Sequence, residues 1–405
     1  MLTHPIIPIK KKVIIRRKTG REQNLQKGNI PYRYNNIKII EKFAIEDMDN
    51  PIPEELRDEN EAPEEDAEAV NGFVEEIFNV NALAKRMIIR VGTMTVTYPI
   101  SMLKTLFQLG FEPYPLSHGK LYIIAGRDAF FLPNLFTYGR NLTQDLGFLA
   151  LYTGFESSVF ASVTGIFTIY EVKKYLDEYY PNIGGAPDNV GKDETQLTDG
   201  ESFRLMIRSA MRQTIFRGIG VTASWPFNVI MIRKIAQLIG AESKYGSLLQ
   251  TVLRIGLEEG PAGYFSGLIP TLLFDMAHLW SVHLLVYGIE RAIIYVDKNN
   301  YLGDDKAARD AANVGRRLTH FLAPIAMNTY HYPFSVVATV MATVGSGLTV
   351  SMMPYAPSFG QWQDAYNYLK PNGLKRGARL FRREQTGAVT VGRDNQLYAN
   401  YKHFS

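Results

Sequence analysis

The stretch Ser224-Trp-Pro-Phe-Asn-Val-Ile-Met-Ile-Arg233 is apolar, helical in pattern, and carries a proline in its interior. A proline inside a helix removes one backbone donor and bends the helix. Within a bilayer this bend is tolerated because neighbouring helices satisfy the carbonyl that is freed. A polar connector and then Glu258-Glu-Gly260 follow, before a second apolar segment begins. The stretch therefore predicts one bent helix and one further helix of a membrane bundle.

The phrase around Pro226 occurs twice more along the chain. Thr97-Tyr-Pro-Ile-Ser-Met-Leu-Lys104 comes before it and His331-Tyr-Pro-Phe-Ser-Val-Val337 comes after it. An aromatic residue followed by Pro, an apolar residue and a polar residue, recurring about every hundred residues, indicates a repeat architecture. We expect three repeats, each with a helix kinked at its proline: Pro99, Pro226 and Pro333.

Apolar segments long enough to cross the ~30 Å hydrocarbon core recur between polar loops. The segment 120–138 is shorter and amphipathic, which predicts a helix lying along the membrane surface. Residues 362–369 are also amphipathic, whereas residues 181–200 and 297–308 form polar loops. The expected crossings are residues 82–109, 149–170, 203–239, 262–296 and 316–348.

The pattern of the first two repeats predicts another apolar helix after Phe381, but the third repeat does not contain one. Residues 382–405 instead carry several charged side chains and no run near the ~20 apolar residues that a crossing needs. The sequence therefore predicts five crossings, with the N- and C-termini on opposite sides of the membrane. Residues 386–405 are expected to form a polar C-terminal tail.

The first fifth of the 405 residues separates its charges into two blocks. Residues 1–42 are basic, whereas residues 46–76 carry 14 Asp or Glu side chains against the single Arg57. Such segments bury too little apolar surface to offset chain entropy, so residues 1–80 are expected to be a disordered charged tail. The basic half could instead bind anionic lipid headgroups. A cleaved transit peptide is the third interpretation, although this half has no Ser and clusters its lysines.

Several motifs in order give the chain a family resemblance over roughly residues 82–385. It resembles the mitochondrial carrier superfamily, whose three repeats each hold two membrane helices, a Pro-x-acid-x-x-base motif and a later Glu-Gly motif. The mitochondrial carrier homologue branch, which lacks the last helix, is the closer match. The residues that carry it are Tyr98-Pro99 to Glu112-Pro113, Trp225-Pro-Phe-Asn-Val-Ile230, Glu242-Ser-Lys-Tyr245, Glu258-Glu-Gly260, Gly267 to Asp275, Pro354-Tyr-Ala-Pro357 and Leu380-Phe-Arg382.

The resemblance implies an all-α membrane protein: a mitochondrial-carrier-like three-repeat helical bundle with the sixth transmembrane helix missing. Its carrier-like domain would span residues 81–385, with repeats at about 82–180, 201–296 and 309–385. The resemblance further implies a multi-pass protein of the mitochondrial outer membrane that inserts α-helical and tail-anchored proteins. Phospholipid scrambling would be linked to insertion, and docking of a pro-apoptotic Bcl-2-family protein would tie the chain to apoptosis.

The charges that latch an ordinary carrier are largely missing from this chain. In the family, the acid two residues after each Pro pairs with the base five residues after the Pro of the next repeat. The acid positions here are Ser101, Asn228 and Ser335. The base positions are Lys104, Met231 and Ala338, so only the first repeat keeps a base. Without acids a charge-latched gate cannot form, so the sequence disfavours alternating-access exchange.

Charged residues at membrane depth are costly, at roughly 2.5–3.5 kcal/mol each, and so point to function. One interpretation is that they snorkel to headgroups or pair structurally, for instance Asp275 with Arg217. The other is a hydrophilic groove open sideways to lipid, past which a polar group slides without full desolvation. The candidate groove residues are Lys104, Arg208, Arg212, Arg217, Asp275, His278 and Tyr332. Lys104, Asp275 and Tyr332 are the ones that match groove positions of the family.

No catalytic chemistry is readable in the sequence. There is no Cys, no His-x-x-x-His pair and no phosphate-cradling Gly loop, so we expect no enzyme activity, no metal and no cofactor. The expected partners are α-helical clients, phospholipids and the Bcl-2-family protein, and not nucleic acid. Two rival functions stay open: a solute exchanger of the carrier type, and a non-transporting receptor or scaffold for apoptotic proteins.

Overall fold

The computed structural model describes residues 64–121, 126–186, 190, 192, 196–299, 306–351, 359–371 and 373–399. Predictions for residues 1–63 and 400–405 lie outside the described residues. Helix α1, Glu64–Leu109, begins earlier than the predicted tail boundary at residue 81, so residues 64–80 are helical. The reason is local, because acidic residues favour a helix N-terminus and the Ala and Glu that follow are strong helix formers.

Five helices of 25 residues or more dominate the described part of the chain. Each of the predicted kink residues Pro99, Pro226 and Pro333 lies inside one of them, and the last helix also contains Pro324. The chain is thus mostly helical, as predicted. After α1 the described α-helices of eight residues or more are α2 (Leu135–Leu146), α3 (Phe155–Tyr179), α4 (Asp199–Ala236), α5 (Leu248–Glu258), α6 (Leu268–Lys298), α7 (Lys306–Thr343) and α8 (Trp362–Leu369). A four-residue helix, Pro261–Tyr264, precedes α6.

By length and composition, two helical segments among the described residues could cross a membrane, Asp199–Ala236 and Pro261–Lys298. A third would be added if Leu135–Leu146 and Phe148–Tyr179, which meet at a bend of 116°, form one span. The five-crossing count therefore stays a prediction. Helices α1 and α7 are long enough, but polar side chains interrupt their apolar runs.

Long helices that follow one another along the chain pack together: α3 on α4, α4 on α6, and α6 on α7. Tyr98 on α1 donates to the Thr153 carbonyl just before α3 (2.6 Å), and Trp225 on α4 donates to the Ser266 carbonyl just before α6 (3.0 Å). Gly267 starts α6 with φ +80°, and a Cβ there would lie 2.6 Å from the Ala338 carbonyl oxygen of α7. Only glycine allows this approach, which explains the glycine that begins the stretch from Gly267 to Asp275.

Two small sheets, which were not predicted from the sequence, lie at one end of the mostly helical bundle. Strands β1 (Ser117–Lys120) and β2 (Asp128–Leu132) form a hairpin, to which β3 (Arg383–Glu384) adds from the end of the chain. Strands β4 (Val389–Val391) and β5 (Leu397–Ala399) form a second hairpin. Residues 386–399 are therefore not simply a polar tail.

The predicted surface helix over residues 120–138 is wrong in position. Its middle is β2, where Phe130 and Phe131 favour a strand and Pro133 prevents a helix from running through. The amphipathic helix is instead α2, which Asn134 caps by accepting from the Thr137 amide at 2.8 Å. The predicted amphipathic segment over residues 362–369 is helix α8, as expected. The polar connector after the second kinked helix contains helix α5, which was not predicted from the sequence.

Candidate functional site

A continuous polar stripe runs along α1. Successive side chains of the stripe are four, three, four, four and three residues apart along the sequence. At 100° of helix rotation per residue, this spacing keeps them within an arc of about 80° on the helix surface. Except for the half-buried Lys104 they are exposed, and the neighbouring apolar residues Ile89, Val96 and Ile100 are exposed as well. The α1 polar stripe consists of Arg86, Arg90, Thr93, Thr97, Ser101 and Lys104.

At its C-terminal end the stripe is closed by α7. Gln108 continues the same arc but is only 5% exposed, because its amide nitrogen donates to Tyr332 Oη (3.1 Å) and to Ser335 Oγ (3.2 Å). Thr339 Oγ1 donates to the Gln108 carbonyl oxygen at 2.9 Å. Since Ser335 occupies an acid position of the carrier motif, a neutral hydrogen-bond network joins the first and last long helices at this level.

Lys104 and Tyr332, both predicted as groove residues, lie together at this junction. The Lys104 Nζ atom lies 5.0 Å from the centre of the Tyr332 ring, within cation–π range. The Tyr332 hydroxyl donates to the Arg376 carbonyl at 2.8 Å, which fixes the ring. The pair thus places a half-buried cation where the exposed part of the stripe ends.

A second group of predicted residues lies between α4, α6 and α7. Arg217 is close enough to act electrostatically on both Asp275 and His278, although no direct ion pair joins Arg217 to Asp275. The His278 ring lies 6.5 Å from that of His331, and His331 Nε2 lies 3.5 Å from Ser281 Oγ. Of these polar groups His331 is buried and the others are half-buried, and they lie between three helices, as a groove or a structural cluster would require.

Arg208 and Arg212 do not belong to either group. Arg208 donates to the carbonyls of Pro181, Ile183 and Gly185, and Arg212 donates to the Tyr180 carbonyl (3.1 Å) and pairs with Asp177. Both therefore hold the loop between α3 and α4. Ile235, near the end of α4, packs against the part of α1 that holds Lys104. Arg208 lies 27 residues before Ile235, so about 40 Å of helix separates Arg208 from the level of Lys104.

A buried ion pair that the groove prediction did not include joins three elements. Arg233 is fully buried, forms two bonds to the Glu259 carboxylate (one of 2.8 Å), and donates from Nε to the Ala342 carbonyl at 2.9 Å. It thus ties α4 to the turn before α6 and to the end of α7. The Glu-Gly motif was a signal for Glu259. Arg233 could have been noticed as a base at the end of an apolar helix.

Nearby, burial raises the pKa of Tyr245 to about 12, which keeps its hydroxyl protonated as it donates to the Ser346 carbonyl.

Strand β3 is held to the first repeat by a second buried ion pair. Arg383 pairs with Glu112, lies 3.6 Å over the Phe107 ring and donates to the Pro133 carbonyl at 3.1 Å. Backbone bonds from Gln385 to Phe130 (2.8 Å) and from Leu135 to Leu380 (2.9 Å) flank it. Residues 380–385 are therefore an integral part of the bundle, next to the junction where Gln108 of α1 bonds to α7 (the Gln108 junction).

Among the residues that the structure describes, no three His, Cys, Asp or Glu side chains gather in a group that could hold a metal ion. The site is thus made of hydroxyls, amides, cations and one carboxylate on long helices. Together with the long apolar helices, this defines the class as a helical membrane protein.

Sequence comparison gives the family. The chain is 31% identical to mitochondrial carrier homolog 2 of Mus musculus over 304 residues, 74% of this chain and 94% of the relative. It is 30% identical to mitochondrial carrier homolog 2 of Homo sapiens over the same shares. It is 29% identical to mitochondrial carrier homolog 1 of Mus musculus over 314 residues, 73% of this chain and 76% of the relative. No model of a known protein family matches.

The chain belongs to the mitochondrial carrier homologue family. The resemblance found in the sequence motifs is therefore confirmed, and the chain is a mitochondrial, carrier-like membrane protein.

Proposed function

We propose that this protein inserts α-helical and tail-anchored proteins into the mitochondrial outer membrane along a hydrophilic groove that is open to lipid. Phospholipid scrambling is a linked activity in this proposal, because both tasks move a polar group past the hydrocarbon core. Neither makes or breaks a covalent bond, so no enzyme chemistry is required. Docking of a pro-apoptotic Bcl-2-family protein, and through it a role in apoptosis, belongs to the same proposal.

The α1 polar stripe is the observation that supports the proposal. From Arg86 to Lys104 it runs about 27 Å, close to the ~30 Å thickness of the hydrocarbon core. It has cations at both ends and the hydroxyls of Thr93, Thr97 and Ser101 between them. Because the stripe borders an exposed apolar surface, a crossing polar group would stay solvated by it while its apolar part remains in lipid.

The rival solute exchanger lacks support at the positions where it needs charges. Ser335, at an acid position, is bonded to the neutral Gln108 rather than to a cation. We expect no strict counter-exchange of a nucleotide or carboxylate when the purified chain is reconstituted in liposomes. Robust exchange of a labelled solute, dependent on unlabelled solute inside, would show that the exchanger is right.

Replacing two stripe hydroxyls by methyl groups tests the groove directly. In liposomes that hold a fluorescent phospholipid and receive a tail-anchored client, Thr93→Val with Thr97→Val should slow both insertion and scrambling about fivefold. Losing two weak polar contacts accounts for about that factor. Thr95→Val is the matched control, because Thr95 is exposed on α1 but lies outside the arc of the stripe.

Unchanged rates in the double variant, or an equal loss in Thr95→Val, would show that the stripe takes no part in the mechanism.

The receptor or scaffold alternative is tested by a separate deletion experiment. Deleting residues 1–63 stops before α1 and should leave both liposome activities in place. If no insertion or scrambling is measured for the full chain while partner recruitment depends on those residues, the scaffold is the better description.

A further inference from the structure

A cavity of about 950 Å³ lies beside the Gln108 junction, where α7 meets the end of α1 and the turns that follow α8. Tyr330 and Tyr332 of α7 line one side of it. Lys375, Arg376 and Arg379 line another side. Since the Tyr332 ring also contacts Lys104, the cavity adjoins the end of the α1 polar stripe.

The cavity carries a surplus of positive charge. Its two carboxylates are already neutralised, because Glu112 pairs with Arg383 and Glu384 pairs with Arg127 at 2.8 Å. Lys375 and Arg379 are exposed and, within the described part of the chain, form no ion pair with a carboxylate. The wall is therefore suited to an anion, and guanidinium groups bind phosphate oxygens well.

An exposed apolar surface leads directly to this basic cavity. Leu318, Leu322 and Ile325 lie on one face of α7 and are 50%, 52% and 53% exposed. The next turn of α7 supplies Ala326 and Thr329 to the lining of the cavity. A ligand that fits both surfaces has an anionic head and long apolar chains.

We infer that the cavity binds the phosphate of an anionic phospholipid, with its acyl chains along the exposed face of α7. The lipid is drawn from the surrounding membrane, and the cavity is where its headgroup enters or leaves the α1 polar stripe at Lys104. The role in transport rests on the proposed function, whereas binding itself does not, so the two are tested separately.

Binding is measured on the purified full chain in detergent by native mass spectrometry, with phosphatidylglycerol and phosphatidylcholine as probes. Each basic residue near an anionic headgroup contributes about fivefold to affinity, so Lys375→Gln with Arg379→Gln should weaken phosphatidylglycerol binding about 30-fold. Phosphatidylcholine binding should change little. The matched control is Lys173→Gln with Lys174→Gln, two exposed lysines of α3 that do not line the cavity.

An unchanged affinity for phosphatidylglycerol in the cavity variant, with an unchanged melting temperature, would overturn the inference, as would equal losses in the control.

Competition with inorganic phosphate at millimolar concentration distinguishes a site for a lipid phosphate from a site for free phosphate. If it displaces the lipid completely, the site recognises free phosphate and the lipid assignment is wrong. Loss of binding together with normal scrambling would support the site while removing it from transport, and intact binding with no scrambling in the wild-type chain would count against the proposed function alone.

Discussion

Replacing Glu259 with glutamine is expected to lower the free energy of unfolding by about 3–5 kcal/mol, because it leaves a buried guanidinium without its counter-charge. Arg233 has no exposed side-chain surface, and its carbonyl partners cannot replace a carboxylate. The loss should appear as a lower melting temperature in detergent and as reduced abundance in mitochondria.

Glu258→Gln is the control one residue away. Glu258 is 42% exposed and pairs with Lys244 and Arg254 at the surface, where ion pairs contribute about 0–1 kcal/mol. Equal stability losses for the two variants would show that the Arg233–Glu259 pair does not hold the three elements together. A stability of Glu259→Gln equal to that of the wild type would lead to the same conclusion.

Reversing the charge of Asp275 is expected to change which client ends cross the membrane. Asp275 is the carboxylate of the α4–α6–α7 group and lies in electrostatic reach of Arg217. If this group faces a wet groove, Asp275→Arg makes the local field positive and favours acidic client ends. We expect the ratio of acidic to basic clients inserted to rise about tenfold, equivalent to about 1.4 kcal/mol, at normal abundance.

The structural interpretation of Asp275 gives a different result. A buried partner of Arg217 would become an unpaired cation on reversal, at about 3–5 kcal/mol, and the protein would be degraded. Asp297→Arg, an exposed site near the end of α6, controls for the change of charge itself. Lost abundance of Asp275→Arg, or normal abundance with an unchanged client ratio, would contradict the groove.

The long helices could be predicted because apolar runs and internal prolines are local signals. The family could be recognised because its motifs fall in order along the chain. The addition of β3 could not be predicted, since it is two residues long and pairs with β2 some 250 positions away, which no local pattern encodes. The hairpins β1–β2 and β4–β5 are local, and were missed because their strands are short. A strand this short has meaning only through the hydrogen bonds its partner offers.

For a related reason, the sequence could not show which of the predicted groove residues lie together. Arg208 and Arg212 were placed in the groove because their spacing puts them on one helix face. That spacing does not say what lies opposite, and the opposite surface is a loop whose carbonyls bind both guanidinium groups. Lys104 and Tyr332, both predicted groove residues, lie in contact, while Gln108, which ends the exposed part of the stripe, has no charge or motif that would single it out in the sequence.

The junction between α1 and α7 has a consequence for the order of folding. Gln108 and Tyr332 are 224 positions apart, and Glu112 meets Arg383 across 271 positions. Contacts this distant in sequence close a long loop and form late. During synthesis, the polar groups at the end of α1 therefore lack their hydrogen-bond partners until α7 and β3 have been made. A nascent or truncated chain would expose that surface to chaperones and proteases for the whole interval.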